Sequence, residues 1–326
     1  MMNTGKRPGL RTIPSALSPD ALYGKAVLYA RRALTAKNNA EEDAYQLWAT
    51  LALELLGKFA LARIHPGLVV DTKNSNSMLE ACGVSTATAV RTIDANEVFL
   101  RLKHVVPGFN SLAYDACKDL ADRRNAELHS GHAAYVGIEL EAWEGKLWHA
   151  ARLILKSTDK DLDDLIGEAA GQKEALIEHL SHLRRETAEQ NIAHAREEFK
   201  IGADGKKRPA KQIEELRTQS QAFIWWRYMD HTETYYPQAW DRACPACECK
   251  GFLCGEKDFE ELTDDQDGVE PGFEEIETTY TPVLFICPTC KLKLEGSDEL
   301  SAADMDDEIT VREEREISYE PDYGND

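Results

Sequence analysis

Apolar positions recur at helical spacing through the first half of the chain and at strand spacing only near its end. The strongest pattern covers residues 41–64. Trp48, Leu51, Ala52, Leu55, Leu56 and Phe59 mark one side of a helix, and Leu47, Leu53 and Leu61 fill much of the other. A helix apolar nearly all round belongs at the centre of a bundle. Ahead of it, Ser18-Pro19-Asp20 places proline at a first helical position and predicts a helix over 20–36. His65-Pro66-Gly67 stops the central helix, and 71–77 reads as a polar loop. Helical patterns return over 78–81 and 86–104, where Pro107-Gly108 closes the run. Helices over 110–130 and 136–156 follow. The second carries Trp143, Leu147, Trp148, Ala151 and Ile154 on one side. No strand is expected before 156, so 19–157 reads as an all-α bundle of about five helices.

Beyond the bundle the pattern thins. Residues 161–200 read as one long polar helix with a narrow stripe of Leu176, Leu180 and Leu183, continued by Ile192 and Phe199. Such a stripe suits pairing with one partner helix or bridging two domains. A basic loop at 202–209 and a helix over 210–229 come next. Phe223, Trp225, Trp226, Tyr228, Tyr235, Tyr236 and Trp240 then crowd into 18 residues. They either cement this segment to the next domain or offer unpaired bases a stacking surface. The expected fold class is mainly α with a small C-terminal β module. The expected organisation is a flexible arm at 1–18, the bundle at 19–157 and a helical linker with the aromatic segment at 158–240. A cysteine module at 241–296 and an acidic tail at 297–326 complete it.

Composition changes the picture in one respect. The net charge is −20, which alone argues against gripping a long phosphate backbone. From Cys244 onward, however, 25 Asp and Glu face 6 Lys and Arg, so this stretch holds −19 of the total. Residues 1–243 are close to neutral. The acidic insert 256–277 and the tail from Ser297 read as solvated, partly disordered segments, or as an arm competing with nucleic acid for a basic surface. Residues 1–18 lack the apolar run of a signal peptide. The most apolar stretch, 44–64, carries Glu54, Lys58 and Arg63, which argues against a membrane span.

Six of the eight cysteines lie between 244 and 290. Cys244-Pro-Ala-Cys247 and Cys287-Pro-Thr-Cys290 are two CxxC knuckles that present four thiolates to one tetrahedral ion, with structural zinc expected. Thr278–Ile286 reads as the strand leading into the second knuckle. Both have the Cys-Pro-x-Cys form of zinc ribbons. Clustered metal ligands rather than disulfides point to the reducing cytoplasm. Four thiolates leave no open coordination position, so the metal would fold the module and not catalyse. Cys249 and Cys254 either pack or replace a ligand.

The helix at 110–130 holds the most informative run. Its apolar stripe Ala113, Cys117 and Leu120 continues at Arg124, an inward position where a charge is costly without a partner. Asn125 and His129 share a face, whereas Arg124 and His129 lie about 140° apart on a regular helix. Arg124 can pair with Glu54 or Glu127 and merely hold the bundle, with His129 favoured by the helix C-terminus. Arg124-Asn125-x-x-x-His129, late in a helical bundle, resembles the signature of HEPN domains, an all-α ribonuclease and toxin superfamily. The resemblance covers residues 20–156. It implies metal-independent RNA cleavage at a homodimer interface, with His129 as acid or base, Arg124 stabilising the phosphorane and Asn125 orienting. Glu127, Arg123, His132, His104 and Lys118 would be supporting or RNA-contacting groups. The alternative is a non-catalytic adaptor that dimerises and binds nucleic acid or a protein. The chain lacks the sequence signatures GxxxxGK[ST], GxGxxG, HExxH and GxSxG, so NTPase, dehydrogenase, metalloprotease and esterase readings have no motif.

Overall fold

Helix α1 (Pro19–Asn38) starts with proline in its first turn and buries Ala26, Ala30 and Ala33 completely. These small side chains let its backbone lie close to α2 (Glu42–Ile64), the central helix of the bundle. Ahead of α1, Leu17 is fully buried in a short turn, so the end of the expected arm is packed. The computed structural model describes residues 14–86, 88–202, 205–229, 236–264, 266 and 268–317. Residues 1–13 of the arm and 318–326 of the tail lie outside them.

The bundle continues with α3 (Ser75–Ala81), α4 (Ala95–Leu102), α5 (Ser111–His129) and α6 (Leu140–Lys156). The expected helix over 86–104 is shortened to α4. Asp94 caps it by accepting the Glu97 N–H at 2.9 Å, and Val70 and Thr92 form an isolated β-bridge. Helix propensity fails before Asp94 because Thr86, Thr88, Val90, Thr92 and Ile93 are β-branched and stiff at χ1. Close packing elsewhere depends on Gly57 of α2. A Cβ there would come within 2.6 Å of Val98 Cγ1 on α4.

The long polar helix is interrupted. Helix α7 (Leu162–Ile166) opens with a reciprocal cap between Asp161 and Asp164, and Gly167 turns the chain at φ 58°. Helix α8 (Ala170–Phe199) follows. Its buried positions are Ala170, Lys173 and Ile177, then Ala188, Ile192, Ala195 and Phe199. Leu183 of the expected stripe is exposed, and Leu176 and Leu180 are half-buried. The chain divides into two compact units, 1–180 and 181–326, so α8 passes from one to the other.

A buried carboxylate ties the first unit together. Glu144 of α6, 3% exposed, accepts hydrogen bonds from Lys37 of α1, Tyr45 of α2 and, at 3.2 Å, Lys173 of α8. Lys173 is 1% exposed. Burial, together with the neighbouring Lys37, lowers its pKa from 10.5 to about 8 against the pull of Glu144. Below pH 8 the lysine is charged in both folded and unfolded chains, and the penalty is present in full. Between about 8 and 10.5 the folded chain releases its proton first, so stability rises with pH there. Urea unfolding of the first unit at about pH 7.5 and 9.5 should show its midpoint moving up, and Lys173→Met should abolish the movement.

In the second unit, α9 (Ala210–Ser220) and α10 (Trp226–Met229) replace the single helix expected over 210–229. An antiparallel sheet follows, built from β1 (Gln238–Ala243), β2 (Lys250–Leu262), β3 (Phe273–Ile286) and β4 (Lys293–Glu295) in that order. After α11 (Gly296–Ser301), β5 (Ile309–Glu316) pairs with the first half of β3. The two ends of the expected acidic insert, 256–262 and 273–277, are therefore strand, and part of the expected acidic tail is a strand as well. Their charges are partly paired across the strands. Arg315 bridges Glu260 and Glu274, and Arg312 meets Glu277 at 2.5 Å.

Most of the described aromatics of the 223–240 segment act as cement. Phe223, Trp225, Tyr228 and Tyr236 pack with Phe252, Val283 and Leu284 of the sheet, whereas Trp226 is exposed. Tyr235 lies outside the described residues. The fold is mainly α with a small antiparallel C-terminal sheet, as expected. Among the described residues, no helix is long and apolar enough to cross a membrane.

Candidate functional site

The four knuckle cysteines converge. The Sγ atoms of Cys244, Cys247, Cys287 and Cys290 lie within 4.8 Å of one another and can hold a metal ion. Cys244 and Cys290 are 3.5 Å apart, and Cys247 and Cys287 are 3.6 Å apart. A tetrahedron with metal–sulfur bonds of about 2.3 Å has edges of about 3.8 Å, close to these two separations. The two knuckles are built alike. The Glu248 N–H donates to the Cys244 carbonyl and the Lys291 N–H to the Cys287 carbonyl, both at 2.9 Å. Glu248 and Lys291 take φ of 62° and 66° to close these turns. Each first cysteine then donates its own N–H at 2.9 Å, to the Cys249 and Leu292 carbonyls respectively. Arg217 of α9 braces the first knuckle by donating to the Cys247 carbonyl at 3.2 Å and pairing with Glu248.

Cys249 and Cys254 are fully buried and stand outside the cluster. Cys254 packs in the aromatic-lined part of the core, where burial pushes its thiol up to about 12. They are packing residues, which resolves the choice the sequence left open.

On α5 the stripe of Ala113, Cys117, Leu120 and Arg124 is buried, as its spacing predicts. The 7% exposed Arg124 donates one guanidinium N–H to Glu54 Oε2. Its Nε and Nη2 donate to Asn125 Oδ1 at 3.2 and 2.9 Å. Glu54 also accepts from Lys58, one turn along α2, at 2.7 Å, and Lys58 donates to Thr92 Oγ1 at 3.2 Å. Burial raises the Glu54 carboxyl, but the adjacent Lys58 and Arg124 outweigh it and hold the group below the ordinary carboxylate range. Of the two partners open to Arg124 from sequence, the structure selects Glu54.

His129 is the last residue of α5 and is exposed, whereas Arg124 faces inward. Within one chain these two groups occupy different sides of the helix. Asn125 is half-buried and joins Arg124, not His129. The other candidates stand apart. Glu127 accepts the Ala134 N–H at 2.9 Å and fastens the loop after α5. Arg123 pairs with Asp119 on the surface at 3.0 Å, and His132, His104 and Lys118 are exposed.

Lys58 and Tyr135 are site neighbours that sequence reasoning missed. Glu54 and Lys58 sit at helical i,i+4 spacing, a signal read only as membrane-excluding charge. Tyr135 is 4% exposed, and its buried hydroxyl has no hydrogen-bond partner. Burial raises its pKa, and the Arg124 charge works against that rise. No local pattern marks Tyr135, because it follows the helix across a loop. Glu54 and Lys58 also line an open groove of about 580 Å³ between α1, α2 and the 90–92 segment. Comparison with family models, curated proteins and solved structures finds no significant match to this chain.

Proposed function

We propose that the bundle is a HEPN-like, metal-independent endoribonuclease that works as a homodimer, in the manner of a bacterial toxin or antiphage effector in the cytoplasm. The observation that carries the reading is the disposition of Arg124-Asn125-x-x-x-His129 on α5. Arg124 is held inward by Glu54 and Asn125, and His129 stands exposed at the helix end.

The chemistry asks little of a metal. A 2′-hydroxyl loses its proton to a base and attacks the adjacent phosphorus. The bond to the 5′-oxygen breaks, and that oxygen takes a proton. The products are a 2′,3′-cyclic phosphate and a 5′-hydroxyl. A histidine with a reference pKa of about 6.5 serves as acceptor or donor near neutrality. Two copies of His129, one from each chain, supply both roles. Arg124 uses three of its five guanidinium N–H donors on Glu54 and Asn125, leaving two for phosphorane oxygens.

In this reading the cysteine cluster binds zinc, which favours all-sulfur tetrahedral sites, and the ion serves folding alone. Metal chemistry then has no part in RNA cleavage. The purified protein, incubated with total RNA in buffer without added divalent cations, should produce fragments with cyclic phosphate ends. His129→Ala should slow cleavage by about 10²–10⁴-fold at an unchanged melting temperature. Arg124→Lys should also lose activity, because an ammonium lacks the forked donors. Intact RNA with both the wild-type protein and His129→Ala refutes the ribonuclease reading.

One observation favours the second reading, a non-catalytic dimeric adaptor. The Arg124 charge is already balanced by Glu54, as a purely structural arginine would be. An adaptor predicts that Arg124→Lys lowers stability and changes no RNA.

A further inference from the structure

The stripe of α2 that looked most core-like in sequence is not fully covered. Trp48, Leu51 and Leu55 are half-buried, whereas Ala52, Leu56 and Phe59 of the same stripe are buried together with Tyr45, Ala49, Leu53 and Ala60. Leu51 and Leu55 form one wall of the groove that Glu54 and Lys58 line. Tyr29 of α1 and Val90 complete an apolar surface, and the exposed Lys25 stands at the side. The Lys25 ammonium lies 5.5 Å from the Tyr29 ring centre and has no ion-pair partner among the described residues.

A second open groove, of about 470 Å³, adjoins the first and shares Thr92 with it. Lys73, Arg91 and Arg101 line this one. Its three carboxylates equal its cations in number, and each is held in a local contact. Asp71 accepts the Lys73 N–H at 3.0 Å, Asp94 caps α4, and Glu97 pairs with Arg101 at 2.7 Å. Lys73 and Arg91 are exposed, and their side chains have no ion pair among the described residues. Three cations without an ion-pair partner among the described residues, Lys25, Lys73 and Arg91, therefore lie along two grooves that meet at Thr92, one of them with an apolar wall beside Tyr29.

We infer that these joined grooves bind a short unpaired stretch of RNA. Its phosphates would lie against Lys25, Lys73 and Arg91, and one base would lie against Leu51 and Leu55. The inference rests on the reading that the bundle handles RNA and adds the substrate class, a single strand. Apolar walls favour a base that is out of its helix, since a paired base keeps its faces stacked and its edges covered. A few separated cations suit a short strand and not a long duplex, which needs a dense field of them. The Lys58–Glu54–Arg124 chain of contacts joins the groove wall to α5. A strand in the groove would therefore lie against the ion pair that holds Arg124.

The test is fluorescence anisotropy in buffer without added divalent cations or chelator, with the full chain carrying His129→Ala and a labelled 12-nucleotide single-stranded RNA. Lys25→Glu/Arg91→Glu should raise Kd by about tenfold or more and make the salt dependence of log Kd shallower by about 1.4, or about 0.7 per lost phosphate contact. A duplex of the same sequence should bind more weakly than the single strand. Leu51→Glu, which leaves the cations in place, should also weaken binding. Equal affinity in parent and double variant, or preference for the duplex, overturns the inference. A cleavage assay on the same substitutions in the His129 background separates the two proposals. Cleavage with unaltered affinity removes the grooves and leaves the ribonuclease. Groove-dependent binding with no cleavage removes the ribonuclease and leaves the RNA site.

Discussion

Replacing Cys247 by serine is expected to unfold the 238–295 module. The module's core is modest. Leu253, Phe285, Leu292 and Leu294 pack around the cysteines themselves, so the metal site and the hydrophobic core are one object. Metal binding to four thiolates is worth about 10–16 kcal/mol in small zinc domains at neutral pH, and in such domains it is folding energy. Even a third of that exceeds what a sheet of this size retains from its apolar contacts. Cys247→Ser should therefore drop bound metal from one equivalent to near zero. It should also expose 244–290 to protease and remove one thermal transition. A strong chelator should do the same to the wild-type chain. Cys254→Ala is the control. It removes a buried sulfur outside the cluster and should cost about 1–2 kcal/mol with full metal content. Full metal content in Cys247→Ser, or loss of metal in Cys254→Ala, would show that the ligand set is different.

The second large effect belongs to Glu144. Substituting alanine removes the carboxylate that Lys37, Tyr45 and Lys173 all address. Lys173 would then be a buried cation without an anion, a situation that costs about 3–5 kcal/mol. For a unit of this size the melting temperature should fall by roughly 10–15 °C. Glu144→Gln retains an acceptor for Tyr45 but not the charge, and should fall between. The diagnostic variant is Glu144→Leu/Lys173→Met. An apolar pair of similar volume restores packing without desolvating ions, so most of the lost stability should return. A double variant no more stable than Glu144→Ala would place the energy in the hydrogen bond to Tyr45 and not in the ion pair.

Neither the carboxylate nor its buried lysine announces itself in the chain. Lys173 lies in a stretch of Gln, Lys and Glu that reads as a solvated helix face, and its burial follows from where α8 sits on α6. The same limit applies to Glu54. Its partner is seventy positions away on another helix, and helical periodicity carries no information at that distance. Periodicity does resolve what happens within one helix. The inward direction of Arg124 followed from Ala113, Cys117 and Leu120, and the buried face of α6 followed from Trp143, Leu147, Trp148, Ala151 and Ile154. It misled where β-branched residues ahead of Asp94 kept the chain extended, and at Gly167, whose positive φ ended a helix that the polar pattern ran straight through.

The sequence by itself determined the helical class of the first unit, the outward and inward faces of α5 and α6, and the four-cysteine cluster. Each is set by local spacing, either 3.6 residues to a turn or two CxxC turns of identical geometry. The tertiary structure decided the rest. It chose Glu54 for Arg124, turned the ends of the acidic insert and part of the tail into strands, buried Lys173 against Glu144, and left Leu51 and Leu55 lining a groove. Those outcomes depend on which surfaces meet, and a buried charge or an uncovered leucine exists only once the neighbouring elements are in place.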